Sequence, residues 1–521
     1  MILPSAATNV EPPALPRQAL LSLLMAVLAA SLLIGLFLSP KKDAALILGS
    51  LVLITLFLAS GNQRLFCLWA VVTLAPFTLA KNFVLLPHMG GAGSFTIDAI
   101  DPFLLMLLFF MLRDMARGYR SNVRFSPLFL WWSGMILLGM LDAAFGALRM
   151  MAAEEVQRMI KCYVLFFVIL NEVVRVRLFT HLLAALIAGM ALQASTGILQ
   201  GLFKINLGLQ ELGEATQETI QITSVATYAG GGDSGFRING LLGHPNLLAA
   251  YLSMLLPICI ALLFSRIPSK AKIPLGGVTA MGLLALMMTL SRTGWLTFGV
   301  AFALLYGLSF VHPRLRRRFL FARVAALGCM ALVVVAFSGS IMKRFYDSDP
   351  GALNFRYEWM DVAWGMVRER PLLGFGLNTF VYHLPGRTRY GGVVGLNDAL
   401  GPNWPAVHDT YLLTWSEQGT LGFACFVGLH LYLLLIGIRN IRRYYNDTLF
   451  AVNLGCLCGI VSMMIDGLSS IYIRSPAPAR MFWIVAALLV AVDYWNTANA
   501  PARVSARKLP GNVVGPVPLV T

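Results

Sequence analysis

Long apolar runs, separated by short polar stretches, repeat along the whole of this 521-residue sequence. Most of them have the length, about 17 to 25 residues, with which an α-helix crosses roughly 30 Å of hydrocarbon. The pattern predicts an all-α, polytopic helical membrane protein with about 12 to 14 transmembrane helices. The predicted spans lie at about 18–38, 44–60, 64–80, 99–112, 126–147, 156–172, 178–203, 241–264, 273–290, 293–310, 324–342, 409–436, 447–467 and 478–494.

Composition agrees with the pattern. Hydrophobic residues make up 58% of the chain, charged residues only 12%, and the mean hydropathy is +0.74. Soluble domains carry about a quarter charged residues, so a soluble protein is excluded. The seven cysteines all lie inside apolar runs, and therefore no disulfide framework is expected.

The basic residues predict the orientation in the membrane. Lys and Arg concentrate at 113–124, 265–272, 312–323 and 439–443, which alternation of the spans places on one side. Cytoplasmic loops collect such residues, so that side is predicted to be cytoplasmic, together with both termini. The net charge of +16 is then a property of the loops, and a nucleic-acid partner is not expected.

Two long segments, 204–240 and 343–408, are predicted to be loops on the opposite face. They separate transmembrane segments 1–203, 241–342 and 409–495, and a disordered cytoplasmic tail is predicted over 496–521. The second loop contains an amphipathic helix that Pro371 and Gly374 would end. Its apolar face, formed by Met360, Ala363, Trp364 and Val367, is expected to lie in the headgroup layer.

Three arginines are predicted on this same face. Arg292 lies in a tight turn between two spans, Arg237 precedes a span, and Arg356 lies in the long loop. Arginine is always charged and suits bidentate phosphate contacts, so two or three converging arginines would form a pyrophosphate site. Each also has a structural interpretation. Arg292 could reach the headgroups, Arg237 could balance Asp233, and Arg356 could form a surface ion pair.

His408 heads a span and follows the long loop, which makes it the candidate general base. A helix N-terminus disfavours the imidazolium, so the ring is expected to stay neutral. Asp409 is the expected N-cap and could also orient the ring. Glu417, two turns further on, needs a polar partner or a water-filled cavity; we expect a structural hydrogen bond or cavity lining. His244 is explained by turn chemistry before Pro245.

No metal or other cofactor is expected. The acids at 347–349, "DSD", match a spacing that some metal-dependent glycosyltransferases use, but such short patterns are common in loops. Asp98 and Asp101 also fit a helix start. A hard cation needs several oxygen ligands, which no tight cluster in the sequence supplies.

Taken together, four motifs resemble the O-antigen ligase and polymerase family of bacterial inner membranes. They are "GHPN" at 243–246, "SR" at 291–292, "RYEWMDVAWGMVRERPLLGFGLNTF" at 356–380 and "HDTYLLTWSEQGTLGF" at 408–423. The resemblance covers roughly residues 230–440. Each motif is weak alone, but their order, their spacing and the long loop between them match the family.

The resemblance implies a multi-span, GT-C-like glycosyltransferase whose donor is an undecaprenyl-pyrophosphate-linked glycan. The acceptor would be a lipid or a growing glycan, the reaction metal-independent and inverting, and the active site periplasmic. The family's proposed base falls on His408, and its two essential arginines fall best on Arg292 and Arg356. Asp409 stands where the family commonly has Asn, which is expected to raise the pKa of His408. Tyr411 and Glu417 are supporting residues.

Three alternatives remain open from the sequence. Ligase and polymerase differ in an acceptor that the sequence does not reveal. A lipid-linked sugar transporter or flippase would fit the span count, but transporters commonly show internal repeats and polar groups near the bilayer midplane. A structural or sensory membrane protein would give no reason for His408 and the arginines.

Overall fold

The computed structural model describes residues 54–85, 90–119, 123–173, 176–215, 236–311, 350–384, 405–443 and 447–498, with isolated positions outside these ranges. The chain divides into two compact units, Met1–Leu68 and Trp69–Thr521. In the first unit, Phe57 and Phe66 pack edge to face with ring centroids 5.7 Å apart.

The described elements alternate helices with short connections. In chain order they are α1 Gln63–Leu74, β1 Ala80–Leu85, β2 Ser94–Asp98, α2 Asp101–Ala116, α3 Leu128–Phe145, α4 Arg149–Val173, α5 Val176–Phe203, α6 Pro245–Leu263, α7 Ser269–Met288, α8 Arg292–Leu308, α9 Pro350–Glu369, α10 Phe380–His383, α11 Thr410–Arg442, α12 Asp447–Asp466 and α13 Pro476–Ala498. Single 3₁₀ turns form at Gln210–Leu212 and Tyr472–Arg474.

Seven of the described helices, α3, α5, α6, α7, α11, α12 and α13, are long and apolar enough to cross a membrane. This confirms the predicted all-α, polytopic membrane fold. Four other predicted spans, 64–80, 99–112, 156–172 and 293–310, fall on α1, α2, α4 and α8. Helices α2 and α8 have 16 and 17 residues. Helix α1 has only 12 residues and ends at Leu74, before strand β1, so the predicted span 64–80 was wrong in its second half. The predicted spans at 18–38 and 324–342, and most of 44–60, lie outside the described ranges, so the total of 12 to 14 stays a prediction.

Helices α6 and α12 pack directly against each other through two glycines. Gly455 and Gly459 lie one turn apart on α12, and a Cβ on Gly459 would overlap the carbonyl oxygen of Met254. Gly455 lies against Pro257 and Ile258 in the same way. Small residues at this four-residue spacing let membrane helices approach closely, because lipid supplies little hydrophobic driving force between them.

A two-stranded antiparallel hairpin, which the sequence analysis did not predict, joins α1 to α2. Strand β2 is bound to α4 by Gln157, whose side chain accepts from Thr96 N (3.1 Å) and donates to Thr96 O (2.9 Å). Lys161 of α4 pairs with Asp98 and with Asp101 (2.7 Å). Asp98 also pairs with Arg480 at 2.9 Å. The basic residue inside α4 therefore has partners supplied by the hairpin and the start of α2.

Helix α11 is broken at Gly419, which has φ 61° and ψ −170°. Backbone groups of the loop after α9 fill the break. Thr420 N donates to Pro371 O (2.7 Å) on one side, and Gly376 N donates to Glu417 O (2.9 Å) on the other. The groups left unpaired by the break are thus bound by the loop. A Cβ on Gly419 would overlap the carbonyl of Leu372, so the close approach requires glycine.

Glu417, just before this break, is fully buried and holds the same loop. Its carboxylate accepts from the backbone N–H groups of Asn378 (2.9 Å) and Phe380 (3.0 Å). It also pairs with Arg474 at 2.5 Å, and the Arg474 side chain is 8% exposed. The carboxylate therefore joins three separate parts of the chain: α11, the loop after α9, and the turn before α13.

Helix α9 packs on this loop through an apolar cluster, which we call the loop core. Its buried members are Trp359, Val362, Ala363, Met366, Phe380, Val381, Leu384, Ala406, Val407 and Leu413. Trp364, predicted to lie on the apolar face, is 41% exposed, while Trp359 is 3% exposed. Ala363 and Val367 of the predicted apolar face are buried against protein, and the buried face is rotated toward Trp359. The position of α9 in the headgroup layer stays a prediction.

Substituting Gly459 tests the α6–α12 contact. Alanine is favoured over glycine in a helix by about 1 kcal/mol, yet we expect Gly459→Ala to lower the midpoint of thermal unfolding in detergent, because its Cβ has no space. Gly299→Ala on α8 is the matched control, since its Cβ meets nothing within 4 Å. Equal midpoints for the two variants would show that the contact is not tight.

A double-mutant cycle tests the Glu417–Arg474 pair. Removing one partner leaves a buried charge uncompensated, so Glu417→Gln and Arg474→Gln are each expected to destabilise the fold by about 3–5 kcal/mol. The double variant should lose clearly less than the sum of the two losses, as measured by reversible unfolding in detergent. Strictly additive losses would mean that the two side chains do not interact.

Candidate active site

His408 lies at the end of the extended segment 405–407, immediately before α11. The Trp359 indole N–H donates to the Pro405 carbonyl at 2.6 Å, and Ala406 and Val407 are buried in the loop core. The His408 ring donates a hydrogen bond to the Ala406 carbonyl. Both the position of His408 and the orientation of its ring are thus set by packing against α9.

The first turn of α11 is fixed by its cap and by the turn after α12. The Asp409 carboxylate accepts from Tyr411 N (2.8 Å) and Leu412 N (2.9 Å), which is the predicted N-cap. Thr410 N donates to Gly467 O (2.8 Å), and Thr410 Oγ1 donates to Ser470 O (2.6 Å). The Tyr411 hydroxyl donates to Met464 O at 3.0 Å. Asp409 and Tyr411 therefore anchor the helix that begins beside His408.

Arg356 lies on α9 one turn before Trp359, and its side chain is exposed. Its positive charge lowers the pKa of His408, which places the guanidinium within electrostatic range of the ring. Among the described residues, Arg356 has no ion-pair partner, so the surface ion pair suggested for it in the sequence analysis does not form there.

Arg237 and His244 belong to a segment that is bound to the turn between α7 and α8. The buried Arg237 donates from Nε to Thr289 O (2.9 Å) and from Nη2 to Asn246 Oδ1 (2.7 Å). His244 is the N-cap of α6, because its Nδ1 accepts from Asn246 N at 3.0 Å. Asp233, the partner suggested for Arg237, lies outside the described residues. Two of the Arg237 nitrogens are thus used to hold this segment in place.

Arg292 is the first residue of α8, where Ser291 accepts from Gly294 N (3.3 Å) as the N-cap. Its side chain is half-buried, and within the described ranges it has no ion-pair partner. The next residue, Thr293, accepts from the Ser469 hydroxyl at 3.4 Å. Ser469 belongs to the turn that also binds Thr410, so this turn connects the start of α8 to the start of α11.

The pKa values of the two histidines are lowered by the same causes. Burial lowers the pKa of His408 to about 4, and the Arg356 charge adds to the effect. Burial likewise lowers the pKa of His244 to about 3, with contributions from Arg237 and from His408. The expectation that Asp409 raises the pKa of His408 was therefore wrong, because its carboxylate is bound to the backbone of α11. Both rings are neutral at pH 7.

The structure brings together His408, Arg356, His244 and Arg237 through these electrostatic links, and the turn at 466–470 connects Arg292 to the same region. Glu417 is elsewhere: its described partners are Arg474 and the 378–380 backbone, not His408. Asp98 and Asp101 are paired with Lys161. The acids at 347–349 lie outside the described residues.

Sequence reasoning missed the residues that hold the site in place. Trp359 and Arg474 bind partners 46 and 57 positions away, and nothing local in the sequence indicates such pairings. A signal did exist for Arg474, because a buried acid such as Glu417 requires a cation or several donors. The sequence predicts a polar partner for Glu417 but not which residue supplies it.

Part of the chain matches a known protein family. The family described as O-antigen ligase matches residues 277–427, which include Arg292, Arg356, His408 and Glu417 but not Arg237. None of the curated proteins matches the chain. Family members act on glycans that are linked to lipids, in agreement with the multi-pass membrane fold. Residues 277–427 are therefore similar to the O-antigen ligase family, in agreement with the resemblance carried by the sequence motifs.

Proposed function

We propose that this protein is an inverting, metal-independent glycosyltransferase that transfers a glycan from undecaprenyl pyrophosphate to a sugar hydroxyl on an acceptor. The observation that carries the proposal is a neutral histidine, His408, beside a guanidinium, Arg356, that has no protein counter-ion among the described residues. A base next to a free cation suits a reaction in which a proton leaves the acceptor and negative charge develops on the leaving group.

His408 acts as the general base. Because one ring nitrogen donates to the Ala406 carbonyl, the other carries a lone pair and can accept the proton of the acceptor hydroxyl. The hydroxyl oxygen then attacks the anomeric carbon of the donor from the face opposite the pyrophosphate. The bond from that carbon to the pyrophosphate oxygen breaks, its electron pair stays on the oxygen, and the configuration inverts.

Arg356 and Arg292 bind the pyrophosphate and stabilise the charge that develops when it leaves. The planar guanidinium suits bidentate phosphate contacts. Arg237, with two nitrogens engaged by Thr289 and Asn246, contributes its charge from a fixed position. Asp409 and Tyr411 hold the first turn of α11, and Glu417 holds the loop that carries Phe380. The site faces the periplasm of a bacterial inner membrane in this proposal, as the positive loops of the sequence predict.

A transfer assay tests the assignment of residues. With purified lipid-linked glycan and lipid A core as acceptor, we expect His408→Ala to lower the rate by about 10²–10⁴ and Arg292→Ala or Arg356→Ala by about 10²–10³. Arg443→Ala, an exposed arginine at the opposite end of α11, is the matched control and should keep the wild-type rate.

The acceptor distinguishes the two activities of the family. Product on the lipid core identifies a ligase, whereas lengthening of the lipid-linked glycan identifies a polymerase with the same site. Wild-type rates for the His408 and Arg292 variants, at equal expression and with unchanged thermal midpoints, would remove both residues from the mechanism. Flux of lipid-linked glycan across proteoliposomes without any product would instead support a transporter.

The pH dependence tests the base separately. Only neutral His408 accepts a proton, so kcat/KM should be flat near neutral pH and fall as the pH drops through about 4. Removing the neighbouring positive charge in Arg356→Gln raises the pKa of His408, and the fall should therefore begin at a higher pH. Arg356→Lys, which keeps the charge, should leave the position of the fall unchanged.

Stability must be followed in the same pH range. The folded pKa of His408 lies below the unfolded value of about 6.5, so the unfolded chain binds the extra proton first and stability decreases as the pH falls from 6.5 towards 4. Rates are therefore measured immediately after a jump from pH 7. The assignment of the base fails if His408→Gln retains the same acid limb as the wild type.

A further inference from the structure

A second group of cations lies at the end of α9, around the ring of Phe375. The guanidinium carbons of Arg370 and Arg387 lie 4.6 and 4.7 Å from the centroid of this ring. His383 packs edge to face against it, with centroids 5.0 Å apart. We call these four residues the Phe375 cluster. Over positions 366–387, Glu369 is the only acid in the sequence, against Arg368, Arg370, His383 and Arg387.

One acid only partly balances this charge. Glu369 pairs with Arg387 at 2.8 Å, and both side chains are partly exposed, at 51% and 30%. Among the described residues, Arg370 has no ion-pair partner, and its contact is the face of Phe375. Both guanidinium groups lie against the same ring, so two positive charges are concentrated there, and a nearby anion would reduce their mutual repulsion.

The cluster lies where the protein meets the hydrocarbon. Two residues after Arg370 come Leu372 and Leu373, which are 67% and 59% exposed. The Leu372 carbonyl accepts from Leu421 N at 3.3 Å, which places it at the first turn of the long segment of α11. That segment carries an exposed apolar face on one side of the helix, formed by Leu421, Leu431, Leu435 and Ile438. In a membrane-spanning helix such a face contacts lipid, so Leu372 and Leu373 mark its edge.

Aromatic residues give an independent mark at the same level. Trp364 and Trp415 lie 5.3 Å apart, and Trp415 stacks on Phe423 at 4.5 Å. Trp364 is 41% exposed. Tryptophan is enriched at the boundary between hydrocarbon and headgroups, where its ring contacts both. The exposed leucines and the tryptophans therefore place the Phe375 cluster in the headgroup layer.

We propose that the Phe375 cluster binds the phosphate headgroup of an anionic membrane lipid. Arg370 and Arg387 supply planar donors for the phosphate oxygens, while Leu372 and Leu373 contact the acyl chains below it. The cluster is distinct from the proposed donor site, since Arg370, the residue that follows the end of α9, lies 14 positions after Arg356, about 20 Å at 1.5 Å per helical residue.

Burial and the charges of Arg387 and Arg370 lower the pKa of His383, with Glu369 opposing them. His383 is therefore neutral at pH 7 and adds a hydrogen-bonding group rather than a further charge. The net charge of the cluster with Glu369 and Arg368 is positive at neutral pH, which favours an anion over a zwitterionic headgroup.

Lipid retention in nanodiscs tests the proposal without reference to activity. The full chain is reconstituted in an equimolar mixture of phosphatidylglycerol and phosphatidylcholine, and native mass spectrometry gives the ratio of the two lipids that remain bound. We expect Arg370→Gln/Arg387→Gln to lower the phosphatidylglycerol preference several-fold relative to the wild type. Arg370→Lys/Arg387→Lys keeps the charge but not the planar donors and should give an intermediate ratio.

The control removes the same amount of charge elsewhere on the surface. Lys81 and Arg149 are exposed and have no described contact with the four residues of the Phe375 cluster, so Lys81→Gln/Arg149→Gln should retain the wild-type ratio. Equal losses in the two double glutamine variants, or a wild-type ratio in Arg370→Gln/Arg387→Gln, would overturn the proposal. A second result would also overturn it. If inorganic phosphate alone raises the thermal midpoint of the detergent-solubilised wild type but not of Arg370→Gln/Arg387→Gln, the cluster is a site for free phosphate.

Discussion

A single buried carboxylate, that of Glu417, holds the His408 end of the protein together. Its desolvation is compensated by two backbone N–H groups and by Arg474, and removing any of them would leave charge in an apolar interior. The loop after α9 therefore stays in the break of α11. Because Phe380 belongs to both this loop and the loop core, the same bonds determine where α9 lies and hence where Arg356 points.

The candidate site is assembled from parts of the chain that are far apart in sequence. Arg237 is bound to the turn before α8, the start of α8 is bound to Ser469, and the turn containing Ser469 is bound to the start of α11. No single segment carries His408 together with all three arginines. The tight α6–α12 contact at Gly459 supports these connections, since α6 begins after His244 and α12 ends at the turn that contains Ser469.

The elements that depend on local sequence could be predicted. Hydropathy gave the long helices, and short-range chemistry gave the Asp409 cap and the tight turn at Ser291. What failed depends on partners that are distant in sequence. The buried face of α9 is decided by the Pro405 carbonyl that Trp359 binds, not by its own periodicity. The prediction that Asp409 raises the pKa of His408 was wrong, because the hydrogen bonds of the N-cap engage the Asp409 carboxylate.

The hairpin β1–β2 shows a third kind of limit. Its strands are short and do not alternate clearly, and the pairing is stabilised by Gln157 and Lys161 from α4. Lys161 lies inside the predicted span 156–172, and its partners belong to neighbouring elements. A charged residue inside a predicted membrane helix is thus better interpreted as evidence of a partner than as evidence against the helix.

Segment 385–404 is held at both of its ends by the loop core, and this determines how its length can vary. Leu384 is fully buried before it, and Pro405 is bound to Trp359 after it. Since both ends are fixed, doubling the length of the intervening segment costs only about 0.6 kcal/mol of closure entropy. Insertions and deletions there therefore leave the position of His408 at the start of α11 unchanged.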